Sequence, residues 1–384
     1  MKNKIKILRI IHTLSPNLGG PSNAIIDHTK AMVKNGYLVH ILTSDTTNEI
    51  KKKIKDVKIF NKGPSLGNYG FNLNLLIWLI KNKSKYDIFI IHDIWRIYTF
   101  LARLLLKKYF VFIHGNLDPY FSLDFFKKIK KQIYWYLFER KNLLSSKSIL
   151  LTSEIERKLL NKSFVNTRGL KKNVVGYGIF KPNINKTKTI NIFFKKYPEL
   201  KNQTFLIYLG RFHEKKGCDI LLKSIKILSD QNIKLNLVMA GPDNQYKNDL
   251  KKICKKLKLK KQVYWTGMLR GNKKWGAIYA SSAMVLASHG ENFGLSLAES
   301  LSCSKPVLIT NKVNIYKSII KYNSGLVANN NINDFTRILK KYSHFNNSKI
   351  KKISKNSFKC FNQNFNLKIN QNNFYKLINK TYTN

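Results

Sequence analysis

Two carboxylates stand alone in a basic stretch of this chain. Between Asp249 and Asp334 the only acidic residues are Glu291 and Glu299, eight positions apart in ASHGENFGLSLAESLSCSKPVLIT (Ala287–Thr310). Ionised carboxylates accept hydrogen bonds and donate none, so such a pair suits hydroxyls, a ribose on one and a sugar on the other. Glu291 is expected at the carboxyl end of a strand and Glu299 two turns into a helix that begins at Gly294; eight residues carry a helix about 80° past whole turns, so both side chains can face one cleft. Glu291 would also lie near the positive end of that helix, which accounts for Glu291 without a ligand but not for Glu299. Upstream, GRFHEKKG (Gly210–Gly217) sets Arg211 and Lys216 five residues apart across a strand-to-helix turn. A guanidinium fork and an ammonium point charge together can grip a diphosphate, although a solvated loop of so basic a chain would hold the same residues. A third loop, NLGGPSNA (Asn17–Ala24), brings Gly19 and Gly20 before a helix that Ser22 can cap. It reads either as a backbone approach to an anion or as a plain turn.

The elements that must position these loops are legible as apolar runs separated by segments of helical period. In the first half, strands are expected near Lys4–His12, Tyr37–Thr43, Tyr86–His92, Tyr109–His114 and Ser148–Thr152, with helices at Ser22–Asn35 and Asp124–Arg140. The series restarts at Phe205–Gly210, Leu235–Gly241, Gln262–Gly267, Ala283–Ser288, Pro306–Thr310 and Gly325–Ala328. Runs that are apolar on both faces and spaced by helices make parallel sheets covered on each side. The expected class is therefore α/β, with two doubly wound, Rossmann-like domains facing across a cleft and ligands at the carboxyl ends of their strands. The expected boundaries are an N-terminal domain over 1–180, a linker with a short helix over 181–203, and a second domain over 204–355. A final helix over 356–384 could pack back on the first domain.

Composition narrows the function classes. The formal charge is +50 over 384 residues, yet only nine of the 70 basic residues are arginine, and lysine is scattered from end to end. That pattern reads as compositional bias more than as a nucleic-acid-binding stripe, and no reader module is present. Cys218, Cys254, Cys303 and Cys360 have neither metal-ligand spacing nor a disulfide framework, which fits a reducing cytoplasm. The opening KNKIKILRIIHTL carries Arg9 inside its apolar run and is expected to be a first buried strand, not a signal peptide. No apolar stretch approaches the roughly 18–20 residues of a membrane span, so a soluble or peripheral protein is expected. In FFKKIKKQIYWYLFERKNLLSSK (Phe125–Lys147), one face is apolar and lysines flank it. It is either an ordinary domain helix or one that lies on an anionic leaflet, at the inner face of the plasma membrane.

The Glu, seven residues, Glu arrangement with Phe-Gly inside and a Pro-Val strand after it resembles the retaining nucleotide-sugar glycosyltransferases of family 4, which have the GT-B fold. GGPSNA, FIHGNLDPY, GRFHEKKG, AGPD and GENFGLSLAESLSCSKPV occur in the family's order and span nearly the whole chain. The tract from Ile113 to Lys141 further resembles a branch that builds bacterial surface polysaccharides, with acceptors that are often lipid-linked. The resemblance implies a nucleotide-sugar donor, a glycan or polyprenyl-linked glycan acceptor, and retained stereochemistry. It implies that Arg211 and Lys216 hold the donor diphosphate, Glu299 the ribose and Glu291 the transferred sugar. Asn292 and the backbone N–H groups of Phe293, Gly294 and Leu295 would meet sugar or phosphate, and Gly20 would approach the diphosphate. Gly267, Met268 and Leu269 would lie in the base-binding loop, and His114 beside the reacting carbon. The chain departs from the family at Tyr177-Gly178, where Asn-Gly is usual, and at Ser304, where Gly is usual.

Neither metal nor other cofactor is expected, because Asp-x-Asp is missing and Lys, Arg and helix dipoles can neutralise the leaving diphosphate. His92 and Asp93 either line the acceptor side or cap a strand, His213 is expected in solvent, and His289 could order the Glu291 loop. The competing readings are a nucleotide-sugar epimerase or phosphorylase of the same fold and, from a different class, a basic nucleic-acid-binding protein.

Overall fold

In the computed structural model, residues 4–15, 20–46, 57–119 and 125–383 are described. They form two compact units, one of Met1–Gly178 with Asn370–Asn384 and one of Ile179–Ile369.

The first unit runs β1 (Lys6–Ile11), α1 (Gly20–Lys34), β2 (Leu38–Thr43), β3 (Lys58–Asn61), α2 (Leu73–Asn82) and β4 (Ile88–His92). It continues with α3 (Ile97–Leu105), β5 (Tyr109–Phe112), α4 (Phe125–Tyr134), α5 (Arg140–Leu144), β6 (Ser148–Leu151), α6 (Glu154–Ser163) and β7 (Lys172–Val174). All seven strands pair in parallel, in the order β3-β2-β1-β4-β5-β6-β7. The short β3 and β7 were not expected from sequence. Each is a three- or four-residue edge strand with mostly partial exposure, too brief for an apolar run to announce it.

The second unit begins with α7 (Lys186–Lys196), β8 (Phe205–Leu209), α8 (Cys218–Asp230), β9 (Asn236–Ala240), α9 (Gln245–Lys256), β10 (Val263–Gly267) and α10 (Gly271–Ala280). There follow β11 (Ala283–Leu286), α11 (Leu295–Ser302), β12 (Val307–Thr310), α12 (Tyr316–Tyr322), β13 (Gly325–Ala328), α13 (Ile332–Ser343) and α14 (Asn347–Asn364). Its six parallel strands take the order β10-β9-β8-β11-β12-β13. Leu206, Ile207, Val238, Val285, Leu308 and Ile309 on the central strands are fully buried, as double-sided cover by helices requires.

Two expectations are corrected. The segment 181–203 holds the expected short helix, α7, but is not a linker between units: α7 packs against α10 and buries Phe193 within the second unit. The end of the chain is two helices instead of one. α14 stays with the second unit, and α15 (Asn372–Thr383) belongs to the first. Tyr37 donates to Asn379 Oδ1 at 2.8 Å, and Gln371 meets His28 at 2.6 Å. The break falls at Phe365–Gln371, where Phe365 and Leu367 are buried and Leu367 N donates to Ile179 O.

Candidate active site

In doubly wound sheets ligands bind where the strand order reverses, at the strands' carboxyl ends. In the second unit that point lies between β8 and β11, which are neighbours although the chain visits two other strands between them. The loop after β8 is GRFHEKKG and the loop after β11 is ASHGENFG, so topology brings two of the three singled-out loops together.

The two loops are tied backbone to backbone. Lys215 O accepts from His289 N at 2.8 Å and from Ser288 Oγ at 2.7 Å. At Gly217 the φ is +61°, and a Cβ there would stand 1.9 Å from Ala287 O, so only glycine permits this approach. His289 Nδ1 meets Asn330 Oδ1 at 2.6 Å, which anchors the loop from the far side. His213 is exposed as expected, and its Nδ1 also accepts from Lys215 N at 3.0 Å.

This tie sets the chemistry. The Lys216 ammonium donates to Glu291 Oε2 in an ion pair with little exposure on either side chain. Burial pushes the Glu291 carboxyl up, but the Lys216 charge and hydrogen bond outweigh it and hold the group below the ordinary carboxylate range. The Arg211 side chain is exposed at the mouth of the same loop. Glu291 does not lie on a helix, so the helical-phase argument for a shared face fails. Glu291 N donates to Lys312 O, and Asn314 N donates to Glu291 O. α11 begins only after Gly294, whose φ of +70° turns the chain. Gly294, at the N-cap of α11, has no side chain to cap it, and a helix start of this kind favours an anion. Asn292 Oδ1 accepts from Asn314 Nδ2 at 3.3 Å, and the ring of Phe293 is buried edge-on against Phe365.

Glu299 lies in the second turn of α11, where Lys274 of α10 donates to its Oε1 at 2.6 Å. Lys274 is a residue that sequence reasoning missed, since one lysine among so many gives no signal. Gly267 ends β10 with a φ of +67°, Met268 is exposed and Leu269 is buried. The helix end behind Glu299 is a Schellman closure: Lys305 N donates to Ser300 O at 2.9 Å and Ser304 N to Leu301 O at 3.0 Å. Ser304 takes the left-handed position of that motif, with φ +59°, where glycine fits without strain.

The first unit carries a second constellation at its own reversal point, between β1 and β4. Gly20 is the first residue of α1, while Gly19 lies outside the described residues. His114 follows β5 with a left-handed φ of +48°, and its Nε2 lies 2.8 Å from His92 Nδ1. His92 is wholly buried, so it does not line a surface as one reading of the sequence had it. Its Nε2 accepts from Arg9 Nε at 3.1 Å. Burial, reinforced by the Arg9 charge, pushes the His114 imidazole down to about 3 and His92 well below its usual range. Tyr177 stacks on His28 and stands edge-on to His114. Asp93, with φ +71°, accepts from Asn116 Nδ2 at 3.1 Å, and burial pushes its carboxyl up to about 6.

Comparison with known proteins shows the family. Residues 18–168 match the model described as Glycosyltransferase Family 4, and residues 189–359 match that of Glycosyl transferases group 1, most of the chain between them. An uncharacterized glycosyltransferase of Methanocaldococcus jannaschii is 27% identical over 51% of this chain and 52% of its own length. The chain thus spans about half of that relative. The alpha-monoglucosyldiacylglycerol synthase of Streptococcus pneumoniae is 25% identical over 77% of this chain and 69% of its own. The crystal structure of Anabaena Alr3699/HepE in complex with UDP and glucose has a TM-score of 0.78 at 14% identity, covering 98% of this chain and 100% of that one. At such identity the likeness concerns the fold alone.

Proposed function

The chain belongs to the group 1, family 4 glycosyltransferases, and from that premise we propose that it moves a sugar from a nucleotide-diphosphate sugar to a hydroxyl of a glycan or lipid-linked glycan, with retained stereochemistry. The observation that carries the proposal is the Lys216–Glu291 pair, formed by the loop that also carries Arg211, with α11 starting at Leu295 behind Gly294. An ammonium has three donors, so Lys216 can hold Glu291 and still donate to a diphosphate oxygen. As the glycosidic bond breaks, negative charge moves onto the diphosphate, and Arg211, Lys216 and the N–H groups of α11 meet it there. Glu291 accepts from a hydroxyl of the transferred sugar and Glu299 from the ribose. His114 keeps the role that the family resemblance implies for it, near the reacting carbon. With cations already on the leaving group, no divalent metal is required, and chelation by EDTA should leave the rate within about twofold.

The acceptor is proposed to be an intermediate of surface-polysaccharide assembly, met by the enzyme at the inner face of the membrane. Support comes from α4 and the turn after it. Phe126 is 76% exposed and Ile133 55%, with Ile129, Tyr136 and Leu137 also outward and Lys128 and Lys130 beside them. Tyr134 donates to Tyr69 at 3.0 Å, linking this face to a loop that exposes Leu66 and Phe71. Among the described residues no helix is long and apolar enough to cross a membrane. Apolar side chains ringed by lysines suit shallow insertion into an anionic leaflet.

The test is a panel of UDP-, GDP- and ADP-sugars, read first by thermal shift and then by product analysis with and without acceptor glycans. One donor should stabilise the protein and give an axial or equatorial product matching its own anomeric configuration. Failure of every donor to bind refutes the reading, and inversion refutes retention. Flotation with anionic vesicles at low salt tests the surface separately; absence of binding removes that part.

A further inference from the structure

Arg9 is the least expected residue in the core. It sits on β1 among fully buried Ile7, Leu8 and Ile10, and is itself 1% exposed. Among the described residues its side chain hydrogen-bonds to no carboxylate. Nη1 donates to Thr29 Oγ1 at 2.9 Å and to Ile25 O at 3.2 Å, and Nε donates to His92 Nε2 at 3.1 Å. Burying a cation without an acidic partner costs several kcal/mol, roughly, where Ile or Val would fill the same strand position at no such cost.

What the cation does follows from hydrogen-bond direction. A guanidinium has donors and no acceptor, so His92 Nε2 must be the bare nitrogen of its ring. A neutral His92 then carries its proton on Nδ1, which faces His114 Nε2 at 2.8 Å. His114 Nε2 is thereby the acceptor, and its own proton belongs on Nδ1. The rings cannot easily turn out of this order. Phe112 stacks on His114 with centroids 4.6 Å apart, and Tyr177 closes on its edge at 5.9 Å. His92 has no exposure, whereas His114 is partly exposed.

We propose that Arg9 and His92 are positioning residues that lock His114 in its Nδ1–H tautomer, so that it presents a hydrogen-bond donor to an oxygen of the transferred sugar. This rests on the reading that His114 meets that sugar. The Arg9 charge opposes protonation of both rings, consistent with the lowered His92 and His114. His114 is then a neutral donor and adds no second cation where positive charge develops at the anomeric carbon. An electrostatic anchor two side chains away thus sets the chemistry of the ring at the site.

The test uses the full chain labelled with 15N-histidine and a two-bond 1H–15N correlation, the His114 signal being assigned by its loss in His114→Asn. His114 should show a protonated Nδ1 and a bare Nε2. In Arg9→Met, which puts an apolar side chain of similar length at this core position, the signal should move toward a mixture of tautomers. The same variant should lower kcat at least tenfold with donor KM changed less than twofold, and Arg9→Lys should recover part of the loss. His92→Asn gives a second variant should Arg9→Met not fold. A wild-type His114 protonated on Nε2, or unchanged kcat in folded Arg9→Met, overturns the proposal. A wild type that transfers no sugar refutes the transferase reading instead, and the tautomer measurement still decides the positioning.

Discussion

The Lys274 ammonium sits 2.6 Å from Glu299 Oε1, joining the helix before β11 to the helix after it. Both side chains are only about one-fifth exposed, at 20% and 18%, so the pair is worth more than an ion pair in open solvent. Lys274 holds the carboxylate that is proposed to accept from the donor's ribose. Lys274→Ala should raise donor KM several-fold with little change in kcat, and Glu299→Ala should raise it about tenfold or more. A double-mutant cycle on donor affinity should show coupling of about 1 kcal/mol or more. Additive effects would mean that the lysine does not orient Glu299.

In the proposed reaction Lys216 is the cation that meets the leaving group. Lys216→Ala should reduce kcat by roughly 10²–10³, the loss typical of one removed charge-stabilising donor. Because Glu291 loses its partner too, Glu291→Gln serves as the control. If Lys216→Ala were slow only because Glu291 drifts, Glu291→Gln would be equally slow. Steady-state kinetics on both variants decides, and an unimpaired Lys216→Ala would rule the assignment out.

Ser304 occupies the left-handed position that ends α11, with φ +59°. A β-carbon there costs about 1–2 kcal/mol, offset in part by the greater unfolded-state freedom of glycine. Ser304→Gly should therefore stabilise the second unit by about 0.5–1 kcal/mol in denaturant titration. A destabilised variant would show that the serine hydroxyl compensates.

Glu139 is wholly buried beside α3, where Thr99 Oγ1 donates to its Oε2 at 3.2 Å. Burial pushes its carboxyl from 4.5 up to about 7. The folded state therefore holds a proton that the unfolded chain releases above about pH 4.5. Stability from this group is complete below that pH and is lost as pH rises through about 7. The loss should reach roughly 3 kcal/mol by pH 8. Glu139→Gln mimics the protonated form, so its melting temperature relative to wild type should be higher at pH 8 than at pH 5. Equal differences at both values would contradict the shift.

Much of the molecule was written in local pattern. All six strands of the second sheet were legible, because each is an apolar run four or five residues long between helices. Legible too were the loops carrying Arg211, Lys216 and Glu291, because they follow strands. Local pattern placed Glu291 after its strand and started the next helix at Gly294, as found, but it applied a helical turn to a pair of which only Glu299 lies on the helix. It also merged α14 with α15, since spaced apolar residues in an Asn/Lys background do not record where one helix stops.

By itself, then, the sequence determined which loops follow which strands and which residue types they bring, since periodicity and chemistry are properties of neighbours along the chain. Only the tertiary structure decided the partnerships: Lys216 with Glu291, Lys274 with Glu299, and Arg9 with His92 and His114. Those pairings join residues 22 to 83 positions apart, across strands reordered in the sheet. In a chain with 70 basic residues, only proximity in space can single out which cation answers which group.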